Sequence, residues 1–112
     1  HDVGDAVLRQ LGQLLSARTR QSEIVGRLGG EEFVILMTDT DQTSAQTMAQ
    51  HLIEAVAQQS FAAVGTVTLS AGVSSLQTGN TLDSLTSLLK RSDEALYEAK
   101  RQGRNRVCIA AA

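Results

Sequence analysis

The chain has 112 residues, the length of a single domain with one core, and its 42% hydrophobic content without a long apolar run is typical of a soluble globular protein. Its formal net charge of -2 and its 3% aromatic content argue against a nucleic-acid-binding domain, because a basic surface and stacking side chains are both lacking. No signal peptide is visible, and the single cysteine, Cys108, excludes an internal disulfide framework and favours a reducing cytoplasm.

The first predicted element is a helix from Asp5 to about Thr19, with Asp5 as its N-cap. Its apolar residues recur at helical spacing: Val7, Leu8, Leu11, Leu14 and Leu15. The next segment, "EIVGRLGGEEFVILM", carries two short apolar runs separated by Gly29-Gly30. It predicts a β-hairpin, because glycine readily adopts the positive φ of tight turns. The second arm, Phe33 to Met37, is apolar at every position and is therefore predicted to be an interior strand.

A second helix is predicted from near Thr43 to Gln58. Its apolar stripe consists of Ala45, Met48, Ala49, Leu52, Ile53 and Val56. The segment from Gly65 to Leu76, "GTVTLSAGVSSL", is rich in β-branched residues and predicts one strand.

A third, long amphipathic helix is predicted from about Leu82 to Gln102, with Thr81 as N-cap and Gly103 as the glycine that ends it. Val107 to Ile109 then forms a short final strand. The predicted order is α-β-β-α-β-α-β, which indicates an α+β sandwich with helices on one face of a mainly antiparallel sheet. We expect the leucines and Tyr97 of the third helix to pack inward, and His51 on the second helix to be exposed.

Two adjacent carboxylates, Glu31 and Glu32, follow the glycine turn. Two carboxylates that converge on one site repel each other, which favours a cation beside them. A divalent cation relieves the repulsion, and oxygen ligands favour Mg²⁺ or Mn²⁺ over zinc. The pair alone leaves a second interpretation open, that of a solvated hairpin tip.

The longer string resembles the signature of the GGDEF-domain diguanylate cyclases. Gly-Gly-Glu-Glu-Phe has Arg27 two positions ahead of it and an apolar strand after it, and Glu31 in place of Asp is a common variant of that signature. "HDVGDAVLRQLG" is similar to the family's Gly-His-x-x-Gly-Asp segment, and "VTLSAGVSSL" to Val-Thr-x-Ser-x-Gly-Val-Ala. "LLKRSDEALYEAKRQGRNRV" resembles Leu-x-x-Ala-Asp-x-Ala-Leu-Tyr-x-Ala-Lys-x-x-Gly-Arg-Asn, with Ser92 at the usual alanine. These segments follow in the family's order across essentially all 112 residues.

The resemblance implies a ferredoxin-like, nucleotidyl-cyclase-type α+β fold, with residues 1–112 forming a single partial GGDEF domain. It further implies condensation of two GTP molecules into cyclic di-GMP with release of two pyrophosphates, assisted by Mg²⁺ or Mn²⁺ at the interface of a homodimer. A cytoplasmic location, an upstream sensory or regulatory domain, and no contact with nucleic acid or membrane are expected. The alternative is a catalytically dead GGDEF domain that binds GTP or mediates dimerisation. A third class, an RNA-binding sandwich, is disfavoured by the scarcity of aromatic residues.

By the same resemblance, Glu31 is a metal ligand and the base for the attacking 3′-hydroxyl, and Glu32 is a second metal ligand. The substrate-binding positions implied are His1 and Asp5 for guanine, Gly29 and Gly30 for close approach of the nucleotide, and Lys100 and Arg104 for the terminal phosphates. The residues alone allow simpler roles. Asp5 caps a helix in that case, and the two cations complement the dipole at a helix C-terminus.

Two departures from the family pattern affect activity and regulation. The family's opening strand and helix, with an Asp-x-Asp-x-Phe-Lys-x-x-Asn segment that supplies a metal-binding aspartate, do not occur in these 112 residues. We therefore expect the chain alone to be inactive, and its sheet to have unpaired edges that favour poor solubility or strand exchange. The family's inhibitory product site, Arg-x-x-Asp, is matched by Arg20 and Glu23. The extra methylene of glutamate shifts the carboxylate by roughly an ångström, so weakened product inhibition is expected. Alternatively, both residues are exposed loop charges.

Overall fold

The computed structural model describes residues 2–19, 23–29, 32–61, 64–76 and 84–110. Its elements in chain order are α1 (Asp2–Arg18), β1 (Ile24–Gly29), β2 (Glu32–Leu36), α2 (Gln42–Gln58), β3 (Ser60–Phe61), β4 (Gly65–Thr66), β5 (Ala71–Val73), α3 (Leu85–Arg101) and β6 (Val107–Ile109). The three predicted helices, the hairpin and the final strand are confirmed as elements. Within the described ranges the strands form three separate pairs, two antiparallel and one parallel.

Helix α1 begins at Asp2, so the prediction that Asp5 caps it is wrong. Val3 continues the i, i+4 series of Val7 and Leu11 by one turn toward the N-terminus, although its side chain is 48% exposed. Asp5 lies in the first turn and its side chain is exposed. A carboxylate in this position still interacts favourably with the helix dipole.

Helix α2 carries the centre of the core on the stripe that its sequence predicts. Its N-cap is Asp41, whose carboxylate accepts a hydrogen bond of 2.8 Å from the Ser44 amide. That bond holds the pKa of Asp41 below its usual value. The buried residues of α2 are Ala45, Ala49, Leu52, Ile53 and Val56. Two of these, Leu52 and Val56, join Leu11 and Leu15 of α1 and Phe61 in one buried cluster.

The hairpin forms where the sequence predicts it, with β1 and β2 antiparallel and Arg27 opposite Phe33. The register shifts between Arg27 and Gly29, so Gly29 lies opposite Glu32. The turn residues Gly30 and Glu31 lie outside the described residues. The prediction of an interior strand is wrong for the part of the chain described, where β2 pairs only with β1. Phe33 and Ile35, which share one face of the strand, pack on the core. The apolar run therefore reports burial and does not determine which strands pair at the edges.

The single strand predicted from Gly65 to Leu76 is divided into β4 and β5. Strand β4 pairs with β3, a two-residue strand that the sequence did not predict, and β5 pairs in parallel with β6. Between them, Val67 and Leu69 pack on the core while Thr68 is exposed, which is the alternation of a strand. Residues 67–70 nevertheless form no ladder with any described strand, because β-branched composition favours extended backbone without supplying a partner.

Helix α3 begins at Leu85, and Ser84 is its N-cap, accepting a hydrogen bond of 3.2 Å from the Ser87 amide. The predicted cap, Thr81, and the predicted first residue, Leu82, lie outside the described residues. Gly103 ends the helix as predicted, with a φ of +118° that favours glycine. The amide of Gly103 donates to the Lys100 carbonyl and that of Arg104 to the Ala99 carbonyl, which together form a Schellman motif.

The contact between β5 and α3 depends on small residues. A Cβ at Gly72 would lie 2.1 Å from the carbonyl oxygen of Ser92 and 2.3 Å from the amide nitrogen of Leu96, so only glycine fits there. On the helix, the contact face is made by the buried Ala95 and Ala99. Two residues beyond Ala95, Tyr97 lies on the other side of α3 and is 70% exposed, so its predicted inward packing is wrong.

Candidate nucleotide-binding site

The mouth of the β1–β2 hairpin presents a carboxylate to solvent. Phe33 packs on the core, and its ring lies near Gly12 of α1, where a Cβ would be 3.5 Å from Cε1. Because successive strand residues point to opposite faces, Glu32 is directed away from the core, and its side chain is exposed. Its predicted partner, Glu31, lies outside the described residues, so the structure describes one half of the carboxylate pair.

Asp5 lies on the helix that packs against this hairpin. Gly12, the residue of α1 beside Phe33, is seven positions after Asp5, which corresponds to about 10 Å along the helix axis. The earlier start of α1 removes the N-cap role that competed with ligand binding at Asp5. His1, the other residue predicted to bind guanine, lies outside the described residues.

The two predicted phosphate-binding cations lie at the C-terminal end of α3, as expected. Lys100 is exposed in the last turn, and Arg104 is exposed in the turn that follows. Arg104 and Asn105 both have left-handed backbone conformations, with φ values of +66° and +50°. The turn rests on the chain leading into β5, because the Asn105 amide donates to the Ser70 hydroxyl at 3.1 Å.

The charges at this helix end are not equivalent. Arg101 forms a salt bridge to Glu98 with two hydrogen bonds, and Gln102 donates a third to the same carboxylate at 3.0 Å. The hydrogen bonds from Arg101, and then from Gln102, lower the pKa of Glu98 to about 2. Among the described residues, neither Lys100 nor Arg104 has a carboxylate partner. These two cations are therefore available for an anionic ligand.

The described residues include no group of three or more His, Cys, Asp or Glu side chains able to hold a metal ion. Glu32 still fits a Mg²⁺ site, since Mg²⁺ is commonly held by one or two carboxylates together with water and substrate phosphates. The structure brings α1 and the hairpin into contact at Gly12 and Phe33. It also places Lys100 in the last turn of α3 and Arg104 in the turn that connects α3 to β6.

The predicted inhibitory site is represented by Glu23, which is only 8% exposed and is the buried charged residue of the described chain. The alternative interpretation of Glu23 as an exposed loop charge is therefore wrong. A buried carboxylate requires a partner, and Glu23 does not lack one. Arg20 lies outside the described residues, so the pairing predicted for the product site is not described.

Sequence reasoning missed the residues that support the site. Ser70 holds the turn that carries Arg104, and Gly72 sets the spacing between β5 and α3. Both belong to the segment "VTLSAGVSSL", which predicts a strand and was not assigned a further role. The Ser-x-Gly pattern within that strand was the available signal, because glycine inside a strand often marks a close backbone approach.

The family described as "Diguanylate cyclase, GGDEF domain" matches residues 1–106. This chain belongs to the GGDEF family. Diguanylate cyclase A of Treponema denticola is 37% identical over 112 residues, which cover 97% of this chain and 30% of that protein. Diguanylate cyclase DgcM of Escherichia coli K12 is 41% identical over 110 residues, covering 98% of this chain and 26% of that protein. The chain thus spans about a third or less of the length of these relatives.

Solved GGDEF structures match the fold of the whole chain. The active GGEEF domain of a diguanylate cyclase from Vibrio cholerae superposes with a TM-score of 0.90 at 39% identity, covering 100% of this chain and 71% of that one. The GGDEF domain of DgcB from Caulobacter crescentus, solved in complex with c-di-GMP, matches with a TM-score of 0.90 at 28% identity, covering 100% and 67%. The predicted nucleotidyl-cyclase-type α+β fold is confirmed. No helix within the described GGDEF residues is long and apolar enough to cross a membrane.

Proposed function

We propose that this chain is the larger part of a diguanylate cyclase domain that condenses two GTP molecules into cyclic di-GMP and two pyrophosphates. The observation that carries the proposal is the complete Gly-Gly-Glu-Glu-Phe string on a hairpin whose carboxylate Glu32 is exposed at the mouth. The fold around that hairpin matches the active GGEEF domain from Vibrio cholerae. The same enzyme name is carried by the curated relatives from Treponema denticola and Escherichia coli.

The carboxylate pair is the proposed metal-binding centre. Glu31 and Glu32 would hold Mg²⁺ or Mn²⁺. The bound cation would lower the pKa of the attacking 3′-hydroxyl and neutralise charge on the phosphates. Glu31 accepts the proton of that hydroxyl as the general base. The glycines ahead of the pair, Gly29 and Gly30, leave space for the nucleotide because they carry no side chain.

The remaining residues bind and orient GTP. Asp5 and His1, four positions before it, recognise guanine. The N1–H and N2 amino group of guanine are adjacent donors, and one carboxylate can accept hydrogen bonds from both. Lys100 and Arg104 hold the terminal phosphates, and the absence of a carboxylate partner for either cation among the described residues supports this role. The proposal also requires that the carboxylate pair, Asp5 and the two cations all surround one bound GTP.

Two such domains are needed for the reaction. Each presents one GTP, and the two 3′-hydroxyls attack across the interface of a homodimer, which reacts only when the domains face each other. We further propose that an upstream regulatory domain controls this encounter. The protein is proposed to lie in the cytoplasm, where GTP is available.

The test uses the complete protein that contains this chain, incubated with GTP and Mg²⁺ while cyclic di-GMP and pyrophosphate are quantified. We expect two molecules of pyrophosphate for each molecule of cyclic di-GMP, and no product after chelation of the metal. GTP binding without any product would contradict catalysis and favour a catalytically dead binding domain.

Two further expectations are checked in the same assay. The 112 residues contain no Asp-x-Asp-x-Phe-Lys segment, so this chain by itself is expected to form no cyclic di-GMP. Added cyclic di-GMP is expected to inhibit the complete protein only weakly, because Glu23 replaces aspartate at the product site. Activity of the 112-residue chain would overturn the first expectation. Strong inhibition that is lost in Arg20→Ala would overturn the second.

A further inference from the structure

The turn after α3 has an unusual backbone. Gly103, Arg104 and Asn105 have consecutive positive φ values of +118°, +66° and +50°. Glycine adopts this region freely and asparagine tolerates it, but an arginine there is uncommon and needs support from its surroundings. The conformation of Arg104 is therefore held by contacts of the turn with the rest of the fold.

Backbone hydrogen bonds hold both ends of this turn. On the helix side, the amide of Arg104 donates to the Ala99 carbonyl at 2.9 Å. On the strand side, the Ala71 amide donates to the Arg106 carbonyl at 3.0 Å. A side-chain bond adds to these two, as the Arg106 Nε donates to the Arg104 carbonyl at 3.0 Å. The two bonds donated by the amides of Arg104 and Ala71 join backbone groups, so neither depends on a particular side chain.

The middle of the turn is held differently. The Asn105 amide donates to the Oγ of Ser70 at 3.1 Å, across 35 positions of sequence. Ser70 is half-buried at the entrance to β5, whereas Asn105 is exposed. Removing the hydroxyl leaves the Asn105 amide accessible to water, which replaces the bond without fixing the backbone.

We infer that Ser70 is a positioning residue that orients Arg104 toward the terminal phosphates of a guanosine triphosphate. The inference rests on the proposed function, in which Arg104 contacts those phosphates. Ser70 itself touches no reacting atom; it restrains the backbone of the residue that follows Arg104. A restrained arginine loses less conformational freedom when it binds a phosphate, so the affinity for ligands with terminal phosphates is higher.

The test compares two nucleotides in the complete protein by calorimetric titration in the presence of Mg²⁺. One is the α,β-methylene analogue of GTP, which cannot release pyrophosphate, and the other is GMP, which lacks the terminal phosphates. Ser70→Thr and Ser70→Val form a matched pair, because the threonine and valine side chains have nearly the same shape and only threonine keeps the hydroxyl. The loss of one hydrogen bond predicts that Ser70→Val weakens binding of the triphosphate roughly 3- to 10-fold. Ser70→Thr should stay within about twofold of the parent protein, and GMP affinity should not change in either variant.

A double variant separates this inference from the proposed function. If Ser70 acts through Arg104, Ser70→Val has no further effect on triphosphate affinity in an Arg104→Ala background. If Arg104→Ala alone leaves triphosphate affinity unchanged, the proposed phosphate contact fails. If Arg104→Ala weakens binding while Ser70→Val does not, only the positioning role is overturned. Equal losses for Ser70→Thr and Ser70→Val, or equal losses for the triphosphate and GMP, would also overturn it.

Discussion

Ser74 and Ser92 stand at two positions where the GGDEF pattern has alanine, and their hydroxyl oxygens lie 2.5 Å apart between β5 and α3. Ser74 also donates to the Leu88 carbonyl at 2.8 Å, so its single proton is used there and Ser92 donates to Ser74. Both side chains are half-buried. Each serine thus provides the other with the partner that a polar group needs in this contact.

We expect the two serines to be energetically coupled. Ser74→Ala and Ser92→Ala should each lower the free energy of unfolding, and the double variant should lose less than the sum, with a coupling of about 0.5–1.5 kcal/mol. Urea denaturation of the complete protein measures the cycle. Ser74→Ala combined with Thr47→Ala on α2 is the control. The hydrogen bond that Thr47 makes among the described residues lies within its own helix, to the Thr43 carbonyl. Additive losses in the serine pair would show that the hydroxyls do not interact.

At the scale of elements, α3 and β5 are joined by backbones that approach closely. Ala95 and Ala99 make the helix face small, and Gly72 makes the strand face smaller still. Arg91 adds a polar connection by donating to the Ser75 carbonyl at 2.8 Å. Because α3 ends in the turn that carries Arg104, the spacing of this contact also sets the position of the proposed phosphate-binding cations.

Gly72→Ala should therefore be strongly destabilising. The new Cβ would meet backbone atoms of Ser92 and Leu96, which cannot rotate away, so β5 and α3 must separate. Overpacking of this kind predicts a loss of about 3 kcal/mol in the free energy of unfolding. Gly26→Ala in β1 is the matched control, because a Cβ there would have no atom within 4 Å. Equal stability of the two variants would contradict the close approach of β5 to α3.

At the scale of the whole molecule, elements with strong local signals could be predicted from sequence. The stripe of α2, the glycine hairpin and the Gly103 end of α3 each depend on residues close together in the chain. The division of Gly65 to Leu76 into two strands could not be predicted, because it depends on which strands are present as partners. The start of α1 was also missed, since Asp5 is a good cap by residue type and only the extra turn from Val3 shows otherwise.

The sequence predicted the charged residues of the candidate site but not the residues that support them. Glu32, Asp5, Lys100 and Arg104 were identified by motif, and the structure finds all four exposed. The supporting residues Ser70 and Gly72 escaped notice because their roles arise from contacts with segments 20 or more positions away. Tyr97 was expected to pack inward with the leucines of α3, whereas Ala95 and Ala99 are the buried residues of that helix.

The most direct test of the account is the rate of cyclic di-GMP synthesis by the complete protein after Glu32→Gln. Glutamine keeps the size of the side chain and removes the charge that a divalent cation needs. We expect the rate to fall by about 100-fold or more. Glu94→Gln, an exposed glutamate on α3, is the matched control and should retain the parent rate. A Glu32→Gln protein that synthesises cyclic di-GMP at the parent rate would contradict the proposal that this hairpin carries the catalytic metal site.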